Sequence, residues 1–528
     1  MYRIKWKFHL IALLGMGGSA LLLNSPVLSA EEIAKDQTPV AAECRIKSVT
    51  LHGNLRISNS ELEQHIAQSK ITICQPEDLE DLRISLTQFY ISKGYVNSGA
   101  LLVTQTGSEK AQGIQKIRII EGRISAIQVK GLGDLQASYL QQRLPRIGQV
   151  LYLPELQTAY QNLVSDPLFN KVQSRVLPGE QAGTAILDLE LERARSWGGQ
   201  VTLDNYRAPA IGEVGLGLAL WKRNLTGYGD LLELNTTHSK GADPVSVSWT
   251  IPLLAYTSSL RLRADRGNTK VISDTLAELD IRSQSSGWEF AYLHKLASSS
   301  AWQHELSLAL AQRDNQNSLA GLPFSFSAGE VDGYAQIRRL QLSHDLRWFK
   351  AEQAWALHNS LILGQNLQNL AQGNVSAVKP HYQIWQGQLQ YLRQVSESKQ
   401  FSGGLQWQWS PDALLNLERY TLGGIHTLPG YRENAVLGNK GVLLYGRWQQ
   451  AVAQTDWSWF VAGQAGVSVA ENEASRHLAS LALGWKWQHG SWLAELTLAK
   501  ALYPAPALAN QRALQDRGLH FSLAYRLF

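Results

Sequence analysis

The chain has 528 residues and carries 49 Lys and Arg against 44 Asp and Glu, which gives a formal net charge of +5. This small excess is spread along the chain and does not indicate nucleic-acid binding. After residue 30 no run of about 18 uncharged apolar residues occurs, which excludes a helical membrane protein. Of the 17 Trp residues, one is Trp6 and all the others lie at or after Trp197. The composition therefore predicts two kinds of structure joined near residue 195.

The first 30 residues predict a secretory signal peptide. A basic start from Arg3 to Lys7 precedes an apolar stretch from Leu10 to Leu23, and the small residues Ser29 and Ala30 end the segment. An N-terminal membrane anchor is the alternative interpretation. The signal predicts export and leaves residues 31–43 as a short N-terminal segment.

The chain contains two cysteines, Cys44 and Cys74. An oxidising compartment permits a disulfide bond between them, and the even count leaves no unpaired thiol. Closing a loop of about 30 residues contributes roughly 3 to 4 kcal/mol in the chain-entropy model. Since no Cys-x-x-Cys pair occurs, we expect a structural role and neither a metal nor a redox site.

Residues 44–194 repeat with an offset of 78 positions: Val49, Leu51 and Gly53 recur as Ile127, Val129 and Gly131. A repeat of this period predicts a duplicated structural unit, here a first domain over 44–121 and a second over 122–194. Each copy predicts the order strand, helix, helix, strand, strand. Such a unit leaves a strand edge open beside a helix, which can bind an extended peptide by strand addition. A spacer that binds nothing is the alternative.

The local signals place these elements in chain order. In the first copy we predict strands over 46–51, 100–105 and 115–120. We also predict two helices, one that begins with a capping box at Ser58 to Glu61 and one that runs from Pro76 to Gly94. In the second copy we predict helices over 138–144 and 154–163 and strands over 172–177 and 185–192.

From Trp197 onward apolar and polar residues alternate with period two. A representative stretch has Leu340, Leu342, Leu346 and Trp348 on one face and Gln341, Ser343, Asp345 and Arg347 on the other. Apolar faces that end in Trp or Tyr, opposite polar faces, are typical of strands that cross a membrane around a wet lumen. A sheet in hydrocarbon must close, because an open edge would leave backbone groups unpaired. Residues 195–528 thus predict a transmembrane antiparallel β-barrel, with room for about 16 strands.

This order of elements resembles the outer-membrane transporters of two-partner secretion, the haemolysin secretion/activation family of the Omp85 superfamily. Cys44, Cys74 and residues 86–96 (Leu-Thr-Gln-Phe-Tyr-Ile-Ser-Lys-Gly-Tyr-Val) resemble the first POTRA domain of that family. Residues 224–230 (Asn-Leu-Thr-Gly-Tyr-Gly-Asp) resemble its early barrel hairpin. Residues 423–433 resemble the loop that folds back into the pore, which implies an inward-folded loop over about 423–441.

Two motifs depart from the family pattern. The pore loop of the family usually reads Val-Arg-Gly-Tyr, and here Leu428, Pro429, Gly430 and Tyr431 lack the arginine. The matching barrel-wall motif is Phe-x-Asp-x-Gly, and the nearest stretch contains no Asp; it contains Phe460, Gly463, Gln464 and Gly466. Both halves of the expected ion pair are therefore absent. Arg432 is the candidate substitute for the missing arginine, although its side chain, from a neighbouring position of the loop, is expected to point in another direction. The segment before Cys44 is also too short for the plug helix and linker of the family.

Enzyme motifs do not occur in this sequence. His304-Glu305 lacks a second His at metal-ligand spacing, where Leu308 stands. There is neither a P-loop nor a Gly-x-Ser-x-Gly elbow. We therefore expect no catalytic residue, no cofactor and no metal.

The resemblance implies a pore in the outer membrane of a Gram-negative-type bacterium, with its POTRA domains in the periplasm. We expect it to export one dedicated, unfolded, β-rich partner protein (type V secretion), such as an adhesin, a cytolysin or a toxin. The POTRA pair would bind the secretion domain of the partner, and the barrel would conduct the chain without ATP. The charged residues Arg261, Arg263, Asp265 and Arg347 are predicted to face the lumen as a weakly adhesive wall, or simply as solvated side chains.

The remaining expected contacts are outer-membrane lipid and, during biogenesis, the barrel-assembly machinery. We expect a monomer and no nucleic acid. Two alternative functions stay open. One is an Omp85-type factor that assembles other outer-membrane proteins, and the other is a passive porin or receptor whose loop plugs a solute channel.

Overall fold

The computed structural model describes residues 46, 48–69, 71, 73–74, 76–104, 114–253, 257–273, 276–296, 299, 301–368, 378–470, 474–504 and 513–527. Two α/β units precede a closed antiparallel barrel. No helix in these ranges has the length and apolar character needed to span a membrane. The predicted signal peptide (1–30), the segment 31–43 and Cys44 lie outside the described residues.

The first α/β unit has the predicted order of elements. It consists of β1 (Ser48–His52), α1 (Asn59–Ser69), α2 (Pro76–Ser92), β2 (Gly99–Leu102) and β3 (Ile114–Ile120). The sheet order is β1-β3-β2, with β1 parallel and β2 antiparallel to β3. The helices cover one face, because Leu62, Leu82, Leu86 and Tyr90 are buried against Ile117. Because β2 pairs with β3 alone among the described strands, it is an edge strand of this sheet.

The second unit repeats this architecture. It consists of β4 (Arg123–Lys130), α3 (Ala137–Gln141), α4 (Leu153–Val164), β5 (Phe169–Pro178) and β6 (Thr184–Arg193), in the sheet order β4-β6-β5. Leu140, Leu156 and Leu163 pack on Leu187 and Leu189 in its core. The helix predicted over 138–144 is wrong at its C-terminal end, since the proline at 145 disfavours helical backbone at the residue before it.

The barrel wall is built from sixteen strands. In chain order the strands after β6 are β7 (Trp197–Asp204), β8 (Gly215–Arg223), β9 (Leu231–Ser239), β10 (Val245–Pro252), β11 (Ser258–Lys270), β12 (Arg282–Lys295), β13 (Trp302–Leu319), β14 (Leu322–Pro323), β15 (Tyr334–Lys350), β16 (Gln353–Asn366), β17 (His381–Ser396), β18 (Lys399–Trp409), β19 (Tyr420–Leu422), β20 (Val436–Gly438), β21 (Lys440–Ala451), β22 (Trp457–Val469), β23 (Arg476–His489), β24 (Trp492–Ala501) and β25 (Leu519–Arg526). β14 only extends a hairpin on β13, and β19 pairs with β20 outside the wall. Single 3₁₀ turns lie at Pro209–Ile211, Ala277–Leu279, Asn416–Glu418 and Gln515–Arg517. The predicted POTRA-type repeats and 16-strand barrel are confirmed.

The barrel closes between its last and first strands. β25 pairs antiparallel with β7 from Ser522 opposite Asp204 to Arg526 opposite Gln200. An even number of strands returns the chain to the end at which it entered. We call the end that joins the α/β units the proximal end and the other the distal end. Proximal turns are short, as between β15 and β16, whereas distal connections are long, as between β18 and β21.

The two faces of the wall differ as the alternation predicts. Leu340, Leu342 and Trp348 of β15 are exposed on the outer face. Trp348 lies opposite Trp302 of β13 and Trp355 of β16, which form part of an aromatic girdle at the proximal end. An apolar band bounded by aromatic residues matches a lipid-facing surface.

The first proximal turn of the barrel docks on the second α/β unit. In this turn, residues 224–230, the carbonyl oxygen of Gly227 accepts a hydrogen bond of 2.9 Å from the backbone N–H of Gln136. Gly229 approaches the ring of Tyr139 so closely that a Cβ would overlap it. Asp230 is fully buried. Burial opposes its charged form, but hydrogen bonds from Thr226 and Trp249 outweigh this and lower the pKa of Asp230.

We expect Gly229→Ala to weaken this docking and Gly148→Ala to leave it intact. Both glycines have a positive φ, so both substitutions carry the roughly 1–2 kcal/mol cost of left-handed backbone. Only the methyl group at 229 meets the Tyr139 ring, since nothing lies within 4 Å of a Cβ at 148. Trypsin cleavage after the exposed Arg195 should become about tenfold faster in Gly229→Ala alone, which corresponds to about 1.4 kcal/mol. Equal cleavage of both variants would contradict the docking.

Candidate functional site

The connection between β18 and β21, residues 410–439, folds into the barrel, and we call it the luminal segment. β19 and β20 pair within it from Tyr420 opposite Gly438 to Leu422 opposite Val436. Leu422 packs in a buried cluster with Leu443 of β21. The inward part is longer than the predicted 423–441. It begins directly after β18, and residues 440 and 441 already belong to the wall strand β21.

The base of the luminal segment lies on the inner faces of β15 to β18. Leu414 packs with Ile362 of β16 and Ile384 of β17. A buried ion pair of 3.3 Å joins Arg339 of β15 to Glu418. Hydrophobic burial and this ion pair together hold the base against one side of the wall.

Small residues in the wall make room for the hairpin of the segment. A Cβ at Gly441 would overlap the ring of Tyr420, and one at Gly466 would lie 3.1 Å from Leu422. Gly466 belongs to the predicted wall motif. Of the other three motif residues, Phe460 and Gln464 share the inward face with Gly466, and Gly463 lies on the opposite face. The structure therefore brings one of the four to the luminal segment.

The guanidinium of Arg447 lies 3.5 Å from the centre of the Phe460 ring. Gln464 accepts a hydrogen bond of 3.2 Å from Ser480. Both motif residues thus contact side chains of the wall itself.

The tip of the luminal segment docks on β23 to β25. Leu428 and Tyr431 are almost completely buried, and Pro429 is buried between them. The Tyr431 hydroxyl lies 3.0 Å from the carbonyl oxygens of Ala479 and Tyr503, to either of which it can donate. It also accepts a hydrogen bond of 3.1 Å from the Tyr503 backbone N–H.

Gly430 makes the closest approach to the wall. Its φ is +91°, and a Cβ there would lie 2.9 Å from the backbone nitrogen of Ala501. Its N–H donates a hydrogen bond of 3.2 Å to Nε2 of His520. Glycine is required here for two independent reasons, the left-handed backbone and the contact with the strand.

Arg432 forms an ion pair away from the motif region of the wall. Its Nε and Nη2 each donate a hydrogen bond of 2.6 Å to the carboxylate of Asp516. Asp516 lies in the 3₁₀ turn of the last distal connection, between β24 and β25. Asp516 could not be predicted as the partner, because no motif surrounds it and 84 positions separate it from Arg432 in the chain.

Gln515 connects the luminal segment to the seam between β25 and β7. Its side chain accepts a hydrogen bond of 2.9 Å from the backbone N–H of Glu433. Its Nε2 donates hydrogen bonds to the carbonyl oxygens of Asn205 at 2.8 Å and Arg207 at 2.6 Å. Asn205 in turn donates to the carbonyl oxygen of Leu519 at 2.9 Å. The tip, the last distal connection and the first distal connection therefore form one hydrogen-bonded unit across the seam.

Three of the four charged residues predicted to face the lumen lie together on β11. Arg261 pairs with Glu289 at 3.0 Å, and Arg263 lies 3.8 Å from Asp265. Arg347 lies apart from them, at the proximal end of β15, eight positions after Arg339 and therefore on the same inward face.

The described residues include no group of three or more His, Cys, Asp or Glu that could hold a metal ion. Cys74 is disulfide-bonded. Its expected partner, Cys44, lies outside the described residues.

Comparisons with known proteins agree with this architecture. Residues 183–497 match the family model described as haemolysin secretion/activation protein ShlB/FhaC/HecB, and residues 44–122 match the ShlB-type POTRA domain. The outer membrane transporter CdiB of Dickeya dadantii (strain 3937) is 22% identical over 457 residues, which cover 79% of this chain and 78% of that protein. The heme/hemopexin transporter protein HuxB of Haemophilus influenzae (strain 86-028NP) is 21% identical over 378 residues, which cover 70% and 65%.

Solved structures share the fold. CdiB from Escherichia coli superimposes with a TM-score of 0.69 at 18% identity and covers 93% of both chains. BamA from Haemophilus ducreyi lacking POTRA domains 1–3 gives a TM-score of 0.54 at 12% identity, over 92% of this chain and 99% of that one. At these identities the superpositions describe architecture alone.

Proposed function

Because this chain belongs to the haemolysin secretion/activation protein family and is an outer-membrane transporter of two-partner secretion, we propose that it exports a dedicated partner protein as an unfolded, β-rich chain. The barrel lies in the outer membrane and the POTRA domains lie in the periplasm. The proximal end is therefore periplasmic, and the distal end faces the exterior. Members of this family are transporters, and the role proposed here needs no catalytic residue.

One observation carries the proposal: a segment of the chain is docked inside a closed barrel and held there at both its base and its tip. The docked segment narrows the lumen but does not fill it. An unfolded chain that folds outside is drawn forward by its own folding free energy, so the transport needs no ATP.

We propose that the partner adds a strand to the edge of β5. This strand has ten residues, whereas the other edge strand beside a helix, β2, has four. A longer edge offers more main-chain hydrogen bonds to an extended peptide. Val176 and Leu177 are exposed at the end of β5, with 43% and 41% of their surface accessible. They suit a partner segment with apolar side chains in an extended conformation.

The double substitution Val176→Lys with Leu177→Lys should reduce the secreted partner about tenfold, because it places two charges where an apolar strand would dock. Both side chains are exposed, so the domain should still fold. Leu55→Lys is the control, since Leu55 is 76% exposed and lies in the first α/β unit, between β1 and α1. The measurement is the amount of partner in the culture medium, and a similar loss with Leu55→Lys would argue against the β5 edge.

We further propose that the barrel is monomeric, that lipid surrounds its apolar outer face, and that the barrel-assembly machinery inserts it. The closed wall supports this, because it leaves no free strand edge in the hydrocarbon.

Deletion of the gene, followed by mass spectrometry of secreted and surface proteins, tests the function. We expect the loss of one large secreted protein, with fragments of it in the periplasm and unchanged levels of other barrels. A broad fall in outer-membrane barrels would instead support an assembly factor. If neither changes and the purified chain conducts solutes selectively, the protein is a porin or receptor.

A further inference from the structure

The inner wall of the barrel is covered on one side. In the distal half of β15 to β18 and of β21 to β25, many inward-facing side chains are almost completely buried; examples are Ile337, Ile362, Ile384, Leu443, Leu478, Ser480, Thr497 and His520. Nearer the proximal end, inward-facing residues of these strands such as Arg347 are exposed. On β9 to β12 most inward-facing side chains are partly or fully exposed, including Asn235, Ser246, Arg263 and Ser285. The lumen therefore has a covered sector and an accessible sector.

The luminal segment causes this asymmetry, because its base, its hairpin and its tip are each anchored on the covered sector. Leu414 holds the base to β16 and β17, and Leu422 holds the hairpin near Gly466 of β22. Gly430 and Tyr431 hold the tip to β23, β24 and β25. These contacts leave β9 to β12 as the wall that faces the segment across the lumen.

The accessible sector has the chemistry of a surface on which a polypeptide slides. Together with Arg313 of β13 it forms a recess of about 380 Å³, whose inward-facing lining also includes Asn235, Ser246, Arg263, Asp265 and Ser285. The lining is polar, and part of its charge is balanced within the wall, by the Arg263–Asp265 pair in the recess and by the Arg261–Glu289 pair on β11 and β12. Such a hydrated surface offers an unfolded chain transient hydrogen bonds and no apolar patch that would bind it tightly.

We propose that the exported polypeptide passes along β9 to β12 while the luminal segment stays docked on the opposite wall. The inference rests on the proposed export function and adds the route within the barrel. It requires that the polypeptide contacts the polar face of β11 and β12, and that residues beneath the segment stay shielded during transport.

Two serines on inward faces provide a matched pair for the test. Ser285 of β12 is exposed in the accessible sector, and Ser480 of β23 is 1% exposed in the covered sector. Serine to cysteine is a small change at either position, and Cys74 is already disulfide-bonded. The purified full-length chain is placed in planar bilayers and treated with the thiol reagent (2-sulfonatoethyl) methanethiosulfonate. We expect the current to change at least about tenfold faster with Ser285→Cys than with Ser480→Cys. Equal rates would overturn the assignment of a covered sector.

The second measurement addresses the polypeptide itself. The partner identified by the deletion experiment is given single cysteines and a stable C-terminal fusion domain that stalls it inside the barrel. Under mild oxidation we expect a disulfide with Ser285→Cys and none with Ser480→Cys. Cross-linking at Ser480→Cys, or at neither position while the partner is stalled, would overturn the proposed route. If the deletion removes no secreted protein, the export function fails, and the bilayer result still decides the geometry of the lumen.

Discussion

Arg432→Asp and Asp516→Arg should each loosen the tip of the luminal segment, and the double substitution should restore it. The two side chains form a bidentate, charge-assisted pair in a partly buried setting, with 17% and 29% of their side-chain surfaces exposed. Hydrogen bonds to charged groups contribute about 1.5–3 kcal/mol, and each single reversal also places like charges together. A loss of about 2 kcal/mol shifts the equilibrium between docked and undocked tips roughly 30-fold. In planar bilayers, both single variants should show larger and more frequent openings than the wild-type chain.

Arg282→Asp is the control for this prediction. The Nε of Arg282 also donates to both carboxylate oxygens of an aspartate, Asp280, but this pair is more exposed and joins the first residue of β12 to the distal connection just before it. Its reversal should leave the conductance unchanged. If the double variant Arg432→Asp with Asp516→Arg is as leaky as either single variant, the ion pair is not what holds the tip.

Gly430→Ala should release the tip more completely than either charge reversal. A methyl group at this position would press on the backbone of Ala501, and a backbone atom in a closed barrel strand cannot move aside. The left-handed φ of +91° adds a further roughly 1–2 kcal/mol. The expected result is a pore that is open most of the time in planar bilayers.

Gly321→Ala is the control that separates the steric clash of a methyl group from the free-energy cost of left-handed backbone. Gly321 also has a positive φ, and nothing lies within 4 Å of a Cβ there. We expect Gly321→Ala to keep the wild-type conductance. A folded barrel migrates faster on SDS gels before heating than after it. If Gly430→Ala keeps this difference in mobility, the substitution has not unfolded the wall. A quiet pore in a folded Gly430→Ala variant would contradict the docking described for the tip.

The barrel and the two α/β units could be predicted because their signals are local. The alternation that places Leu340 and Leu342 on one face and Gln341 on the other is visible in three consecutive residues. The helix α2 likewise shows its start at Pro76 within a few positions. Patterns of period two and of helical period express burial directly, so they are visible in one sequence.

The docking of the luminal segment could be predicted only in outline. The partners of its tip, Asp516, Gln515 and His520, follow it by more than 80 residues, and they lie beside it only in the folded barrel. No local pattern encodes such contacts. The missing arginine of the pore-loop motif predicted an absent ion pair, but it contained no information about the different pair that Arg432 forms.

On the proposed route, the partner passes through the lumen while the luminal segment remains docked. A variant with Arg432→Cys and Asp516→Cys, linked by a short bifunctional methanethiosulfonate, replaces the ion pair by a covalent bridge that a reductant reverses. Export of the partner is then measured in cells before linking, after linking and after reduction. The structure predicts that export continues while the bridge is closed. Export that stops on linking and resumes on reduction would contradict this route, because such a result would mean that the tip must leave the wall during transport.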